Sequence, residues 1–465
     1  MPIFKTELMQ HQKEAVSKLK NIKVGALFMD TGTGKTRASL ELAARRLEDD
    51  KVDCILYLCP VSVKRTIVDE IKKHTAGLTY ELVSPDGIQG NSDIYIAGIE
   101  SISQSDSISL VLYELAKKKD CFVIVDESSL ITNPRAKRTQ EIWRLGEIND
   151  YKLILNGTPL SNSEEDLFSQ WYFLDYRILG YTSYYSFAAN HLEFDERYPN
   201  RVARAHNTDY LVDKIAPYTY QVQKEECLDL PDRSYSNRYF YMTNRQQMIY
   251  EQTQYDILYD IEIDEFESYT IFQLISACQK IISGIDIFDK PMDNPRIQTL
   301  LEILEDIPKQ KTIIWCRYVD EIQNISKVLR EKYGGDSVAE FWGELGEKER
   351  NRELNKFKNE ARFLVANKMC GAYGINLQFC SYAIYYSNDF SWKTRYQSED
   401  RIYRQGQEDN VHVIDIICNN SIDERIQECL RNKQNLVDAF KSKIDDIKDK
   451  NNIERWLNNA KDIQQ

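Results

Sequence analysis

The sequence predicts an α/β fold in which two parallel-sheet lobes stand in tandem, with helical segments between them. Three observations lead there. Short apolar, β-branched runs alternate with longer amphipathic stretches as far as about Asp175, the alternation stops from Tyr176 to about Asp293, and it then resumes to Ile417. Strands covered by helices on both faces read as continuous apolar runs, so this rhythm is that of parallel sheets. At 465 residues with 42% hydrophobic content, the chain also exceeds the size at which a single core keeps growing.

Taken in order, the first lobe's strands are expected at VGALFM (Val24 to Met29), CILYLCP (Cys54 to Pro60), DIYIAG (Asp93 to Gly98), FVIVDE (Phe122 to Glu127) and KLILNG (Lys152 to Gly157). The stretch from Tyr176 to Asp293 is aromatic and polar and reads mainly as helix, with one strand at YSNRYFYMT (Tyr235 to Thr243). The second lobe's strands are expected at TIIWCR (Thr312 to Arg317), FLVAN (Phe363 to Asn367), YAIYYS (Tyr382 to Ser387) and HVIDII (His412 to Ile417). The charged segment Lys441 to Gln465 has no strand signal and reads as a helix, with Trp456 as a packing anchor.

Composition narrows the function classes. Glycine (18) and proline (11) are sparse, so a chain folded nearly throughout is expected. The first residues, MPIFKTELMQHQ, lack a basic segment followed by an apolar run, and no window approaches 18 uncharged apolar residues; neither secretion nor membrane spanning is expected. The ten cysteines include no C-x-x-C pair and several lie in apolar runs, as reduced core residues of a cytoplasmic protein would. The five histidines are scattered without a ligand pair, which implies no structural metal. A net charge of −13 excludes coating nucleic acid through the overall field, so any such contact must be local.

The chemistry is carried by short motifs. Directly after the first strand comes MDTGTGKT, with Thr31, Gly32, Thr33, Gly34, Lys35 and Thr36. Glycines let the backbone curl so that amides and a helix N-terminus face phosphate oxygens; Lys35 then reaches the outer phosphates and the Thr36 hydroxyl ligates Mg2+. Met29 stands where the strict phosphate-loop pattern has its first glycine. At the end of a later strand, VDES places Asp126 to hold the Mg2+ and Glu127 to orient and deprotonate the attacking water. In QSEDRIYRQGQ (Gln397 to Gln407), Arg401 and Arg404 are spaced to project from one helical face, where guanidinium groups can stabilise charge on a transferring phosphoryl group.

The order MDTGTGKT, VDES, NGTPLSNSEEDLF, GAYGINL and QSEDRIYRQGQ resembles the motor of superfamily-two helicases, and within them the Swi/Snf-type ATPases. The likeness runs from Leu8 to about Lys433. It implies RecA-like sheets, with residues 1–230 as an ATP-binding domain with a helical insertion at about 176–227. Residues 231–440 become a helicase C-terminal domain with an insertion at about 244–293, and 441–465 a helical tail. It further implies that Gln12 reads the adenine edge, that Gly157, Thr158, Pro159 and Gln397 couple hydrolysis to lobe movement, and that Gly374 and Asn376 lie between phosphate and strand. Pro60 and Ser62 would touch a nucleic-acid backbone. Lys64 and Arg65, with Lys72 and Lys73, form a basic cluster that could follow it, as could Arg135, Lys137, Arg138 and Arg144.

Four departures from the family pattern stand out. VDES replaces the usual D-E-A-H, Ala97 and Gly98 replace paired threonines, Asn367 and Lys368 replace serine and threonine, and Arg317 replaces a glutamine. The resemblance implies an ATP-dependent DNA translocase or helicase acting on duplex or forked DNA, in bacteriophage or bacterial replication or recombination. An RNA helicase, or an ATP-gated clamp that holds nucleic acid without stepping, are the alternatives. The ATP-gated clamp is disfavoured by the presence of Glu127, Arg401 and Arg404, which a pure clamp could lose.

Overall fold

The computed structural model describes residues 3–157, 164–194, 202–259, 268–285, 294–368 and 376–432. Thr158, Pro159, Gly374 and the segment 441–465 with Trp456 lie outside the described residues. The chain divides between Asp229 and Leu230 into two compact units.

The first unit runs β1 (Ile3–Phe4), α1 (Gln10–Leu19), β2 (Val24–Met29), α2 (Lys35–Glu48), β3 (Cys54–Cys59), α3 (Lys64–His74), β4 (Thr75–Ala76), β5 (Tyr80–Leu82), β6 (Ile94–Gly98), α4 (Ile99–Gln104), α5 (Asp106–Lys118) and β7 (Cys121–Val125). It continues through α6 (Lys137–Glu147), β8 (Tyr151–Asn156), α7 (Glu165–Leu179), α8 (Tyr184–His191), β9 (Leu192–Phe194), β10 (Val202–Ala205), α9 (Thr208–Ile215), β11 (Thr219–Val222) and α10 (Lys224–Cys227). Among the described residues its main sheet has the order β11-β2-β8-β7-β3-β6-β5, parallel throughout. Side chains alternate between two cores: Ala26, Phe28, Leu56, Leu58, Val123 and Val125 face one, while Leu27, Met29, Ile55, Tyr57, Phe122 and Ile124 face the other. That double burial explains why each strand reads as an unbroken apolar run.

The second unit comprises β12 (Arg233–Phe240), α11 (Asn244–Tyr259), α12 (Ser268–Ile282), α13 (Pro295–Asp306), β13 (Thr312–Cys316), α14 (Val319–Tyr333), β14 (Val338–Phe341), α15 (Glu347–Asn359), β15 (Phe363–Asn367), β16 (Tyr382–Tyr385), α16 (Trp392–Glu399), β17 (Val411–Cys418) and α17 (Ile422–Arg431). Its described strands have the order β12-β17-β16-β13-β15-β14, again all parallel. The chain is therefore α/β with two parallel-sheet lobes, as its apolar rhythm predicts.

The stretch that reads as mainly helical also holds strands. β11 pairs with β2 from Thr219↔Ala26 to Val222↔Met29, so part of that stretch returns to the first sheet and covers the strand that leads into the phosphate loop. TYQV is too short and too polar to announce itself by periodicity. β12 begins at Arg233, two residues before the predicted strand, and pairs with β17 over its whole length.

Candidate nucleotide site and the second-unit motifs

Ligands of open parallel sheets sit beyond the carboxyl ends of the strands, and the sequence-predicted residues of the first unit gather there. β2 ends at Met29. Gly32 and Gly34 then take φ of 83° and 84°, a left-handed backbone that glycine adopts at little cost, and α2 starts at Lys35 with no side-chain cap. The first amides of that helix have no intrahelical acceptor and carry the positive end of its dipole.

Side chains brace this curl. The Thr33 carbonyl accepts from Gln12 Nε2 at 3.0 Å and from His11 Nε2 at 2.7 Å; both side chains are buried, at 4% and 5% exposure. A Cβ on Gly34 would stand 2.2 Å from Gln12 Nε2, so glycine is required by close approach as well as by φ. The Gln12 carbonyl oxygen meanwhile accepts from Met9 N at 3.0 Å. Gln12 thus ties α1 to the phosphate loop in this structure. His11 shares that task, although in the sequence it is one more isolated histidine with no signal beyond its place beside Gln12.

Lys35 Nζ donates to the Met29 carbonyl at 2.9 Å. Gly157 borders the same space, since a Cβ there would lie 3.0 Å from Thr31 Cγ2 and 3.4 Å from Lys35 Nζ. The Thr31 hydroxyl oxygen is buried without a hydrogen-bond partner. Helix amides, a lysine ammonium and an unused hydroxyl converging on a glycine-lined hollow fit a polyphosphate.

Asp126 and Glu127 follow β7. Asp126 is 7% exposed, and its carboxylate accepts from Glu127 N at 2.9 Å and from Tyr57 OH at 3.5 Å. Burial, and then the adjacent Glu127 carboxylate, push the Asp126 carboxyl up to about 6, with Lys35 opposing them. Burial and Asp126 likewise raise the Tyr57 hydroxyl, which lies within reach of Thr36 and Ser39. Two neighbouring carboxylates with partial compensation form a donor set that suits a hard divalent cation, and Thr36 and Asp126 are the residues that would hold Mg2+. Among the described residues, no group of three or more His, Cys, Asp and Glu side chains could hold a metal by itself.

Pro60 and Ser62 stand at the carboxyl end of β3, in a short turn over Val61–Val63 that leads into α3. Lys64 and Arg65 open that helix. The Ala97–Gly98 departure has a packing reason here: a Cβ on Gly98 would lie 2.4 Å from Val61 Cγ2 and 2.9 Å from Ser101 Oγ. In the second basic cluster, Lys137 pairs with Asp106 at 2.7 Å, Arg144 pairs with Glu141 at 2.7 Å, and Arg135 donates to Tyr185 OH at 3.3 Å. Much of that cluster's charge is therefore spent within the unit.

In the second unit, the expected helical face bearing Arg401 and Arg404 is not formed. α16 ends at Glu399 and both arginines lie in the turns that follow, ending at Gly406 with φ 93°. Gln397 is half-buried in the last turn of α16. Arg404 donates to the Asn376 side chain, and Leu377 N donates to the Arg401 carbonyl at 2.9 Å, so the end of GAYGINL meets QSEDRIYRQGQ.

Beneath them Arg395 is buried, a residue that the motif pattern passes over. It donates to both Asp415 oxygens at 2.6 and 3.0 Å and to Glu399 at 2.6 Å, and lies 3.3 Å from the Tyr385 ring centroid. Two of the departures are neighbours too. Asn367 Nδ2 donates to the Arg317 carbonyl at 2.5 Å, Arg317 pairs with Asp389 at 2.8 Å, and Lys368 donates to Asn388 at 3.2 Å, burial holding its ammonium down to about 7.

Comparison with known families decides the lineage. The SNF2-related domain matches residues 11–296. The chain belongs to the SNF2-related family. The helicase conserved C-terminal domain matches residues 295–406. An uncharacterized ATP-dependent helicase of Mycoplasma genitalium is 26% identical over 72% of this SNF2-related chain and 32% of its own length. A putative ATP-dependent helicase/translocase of Bacillus subtilis is 26% identical over 68% and 35%. The chain thus spans about a third of the length of these relatives. Among solved structures, the SWI2/SNF2 ATPase core of Sulfolobus solfataricus in complex with dsDNA is similar at 22% identity, with 98% and 97% of the two chains covered and a TM-score of 0.45. No described helix of this chain is long and apolar enough to cross a membrane.

Proposed function

We propose that this SNF2-related chain couples Mg2+-dependent ATP hydrolysis to movement along duplex or forked DNA, in a setting of replication or recombination. The observation that carries the reading is the site at the carboxyl end of β2, where Gly157 borders Thr31 and Lys35 and the Asp126 carboxylate, bonded to the Glu127 amide, feels the Lys35 charge. In it the phosphates lie along the α2 amides, Lys35 leaves the Met29 carbonyl for the outer phosphates, and Gln12 meets the adenine edge. Glu127 orients a water and takes its proton as the oxygen attacks the γ-phosphorus and the bond to ADP breaks. Thr36 and Asp126 would hold Mg2+, which would supply positive charge to offset the phosphate oxygens.

Arg401 and Arg404 are assigned to phosphoryl-transfer charge on the strength of QSEDRIYRQGQ, and Gly157, Thr158, Pro159 and Gln397 to coupling on the strength of their motifs. Pro60, Ser62, Lys64, Arg65 and Asn376 are assigned to the nucleic-acid backbone. A Bacillus subtilis relative described as a putative ATP-dependent helicase/translocase supports the reading of an ATP-driven motor. Lysine and arginine contacts to phosphates release counterions, so binding weakens with salt more steeply the more phosphates the chain neutralises.

The test is the stimulation of ATP turnover by duplex DNA, single-stranded DNA and RNA, with Glu127→Gln as the inactive reference. Duplex or forked DNA is expected to stimulate most, and displacement of a third strand from a triplex to accompany turnover. Stimulation by RNA alone overturns the DNA reading, and turnover without displacement makes the chain a clamp.

A further inference from the structure

The turn that presents Glu127 is held at both ends, and one of the holds lies outside every motif. Glu127 has φ 53° and ψ 54°, a left-handed conformation that is unfavourable for a non-glycine residue and persists only where its surroundings enforce it. On one side Asp126 N donates to the Leu58 carbonyl at 2.7 Å and the Asp126 carboxylate takes the Glu127 amide. On the other, Leu130 N closes the turn on the Glu127 carbonyl at 2.9 Å, and Ser128 Oγ donates to Gln170 Oε1 at 2.6 Å.

The Ser128–Gln170 bond is fully enclosed, with the two residues at 0% and 2% exposure. Gln170 belongs to α7, whose Leu167, Trp171 and Leu174 are in the core, so its backbone is a rigid support. Its Nε2 donates to the Asp166 carbonyl at 3.0 Å, which fixes which end of the amide faces Ser128. A glutamine in this apolar face must lose water and side-chain freedom, and a leucine would fill the same volume without that cost.

We propose that Gln170 is a positioning residue for Glu127: through Ser128 it locks the left-handed turn, so that the Glu127 carboxylate keeps one direction toward the hydrolytic water. This rests on the assignment of Glu127 given above. A base displaced by an ångström loses rate while nucleotide binding, made by the other side of the hollow, stays intact.

Steady-state ATP turnover in Gln170→Leu, Gln170→Glu, Ser128→Ala and Ser128→Ala/Gln170→Leu, all in the full chain, tests it. Gln170→Leu and Ser128→Ala are each expected to lower kcat about tenfold to a hundredfold, with KM for ATP and nucleotide affinity within about twofold of the parent. The double variant should fall no further, because one hydrogen bond is lost in each case. Gln170→Glu, kept protonated by its enclosed site, retains both an acceptor for Ser128 and a donor for the Asp166 carbonyl and should stay within about threefold of the parent kcat. Parent-like kcat in Gln170→Leu, additive losses, or a Gln170→Glu as impaired as Gln170→Leu overturn the proposal. If Gln170→Leu does not fold, Ser128→Ala and Gln170→Glu decide alone. Turnover that survives Glu127→Gln removes the assignment of Glu127 itself; an inactive Glu127→Gln beside a fully active Gln170→Leu removes only Gln170.

Discussion

Replacing Asp126 by asparagine should inactivate the protein and at the same time make it more stable. In the ligand-free chain the Asp126 carboxyl is raised from 3.8 to about 6, first by burial and then by Glu127. The unfolded chain ionises this group near 3.8, so between about pH 4 and 6 the native state holds more protons than the unfolded one. Stability therefore falls as pH rises through that window, and the penalty is complete above it. A rise of this size corresponds to about 3 kcal/mol at neutral pH. An asparagine side chain at this position carries no charge, can still accept from the Glu127 amide, and escapes that penalty. The expected gain is about 1–3 kcal/mol, or roughly 2–4 °C in Tm per kcal/mol for a unit of this size. Thermal and urea unfolding at about pH 7.5 in EDTA, repeated at about pH 4.5, measure it. The gain should shrink markedly at the lower pH, and Mg2+ with ATP should raise the Tm of the parent more than that of the variant. An Asp126→Asn chain no more stable than the parent at the higher pH, or a gain undiminished at the lower, would refute the reasoning.

Two further perturbations probe packing around the motifs. Gly98→Thr, which restores the residue usual in the family, brings Cβ to 2.4 Å from Val61 Cγ2 and should cost about 1–3 kcal/mol; Gly98→Thr/Val61→Ala should recover most of it, and an equal loss in both, read from urea midpoints, would deny the pairing. Arg395→Leu leaves Asp415, 1% exposed, without its bidentate partner and should destabilise the second unit by about 3–5 kcal/mol. Replacing both, as Arg395→Met/Asp415→Leu, should return much of that loss, and amide exchange in β17 distinguishes the two outcomes.

Much of the nucleotide hollow was legible in the sequence because its chemistry is local. A strand, a glycine curl and a helix start are consecutive residues; Lys35 and Thr36 open that helix, and Asp126 and Glu127 follow the end of a strand. The same locality misled in QSEDRIYRQGQ, where spacing suggested one helical face but α16 ends at Glu399, and the arginines sit in turns joined to Asn376 and Leu377. The helical reading of the middle stretch likewise missed β11, whose four residues become a strand only because β2 offers an edge.

The sequence by itself determined the class and the ingredients: apolar runs buried on both faces dictate parallel sheets, and glycine, lysine and paired carboxylates at their ends dictate phosphate chemistry. Tertiary structure alone decided which distant side chains serve those ingredients. His11 and Gln12 share the Thr33 carbonyl, Val61 occupies the space that Gly98 leaves, Gln170 holds Ser128, and Arg395 joins α16 to β17. Each of these is a contact of one or two atoms between residues apart in the chain, and a pattern read along the sequence carries no record of which carbonyl, cavity or carboxylate will lie opposite once the sheets have packed.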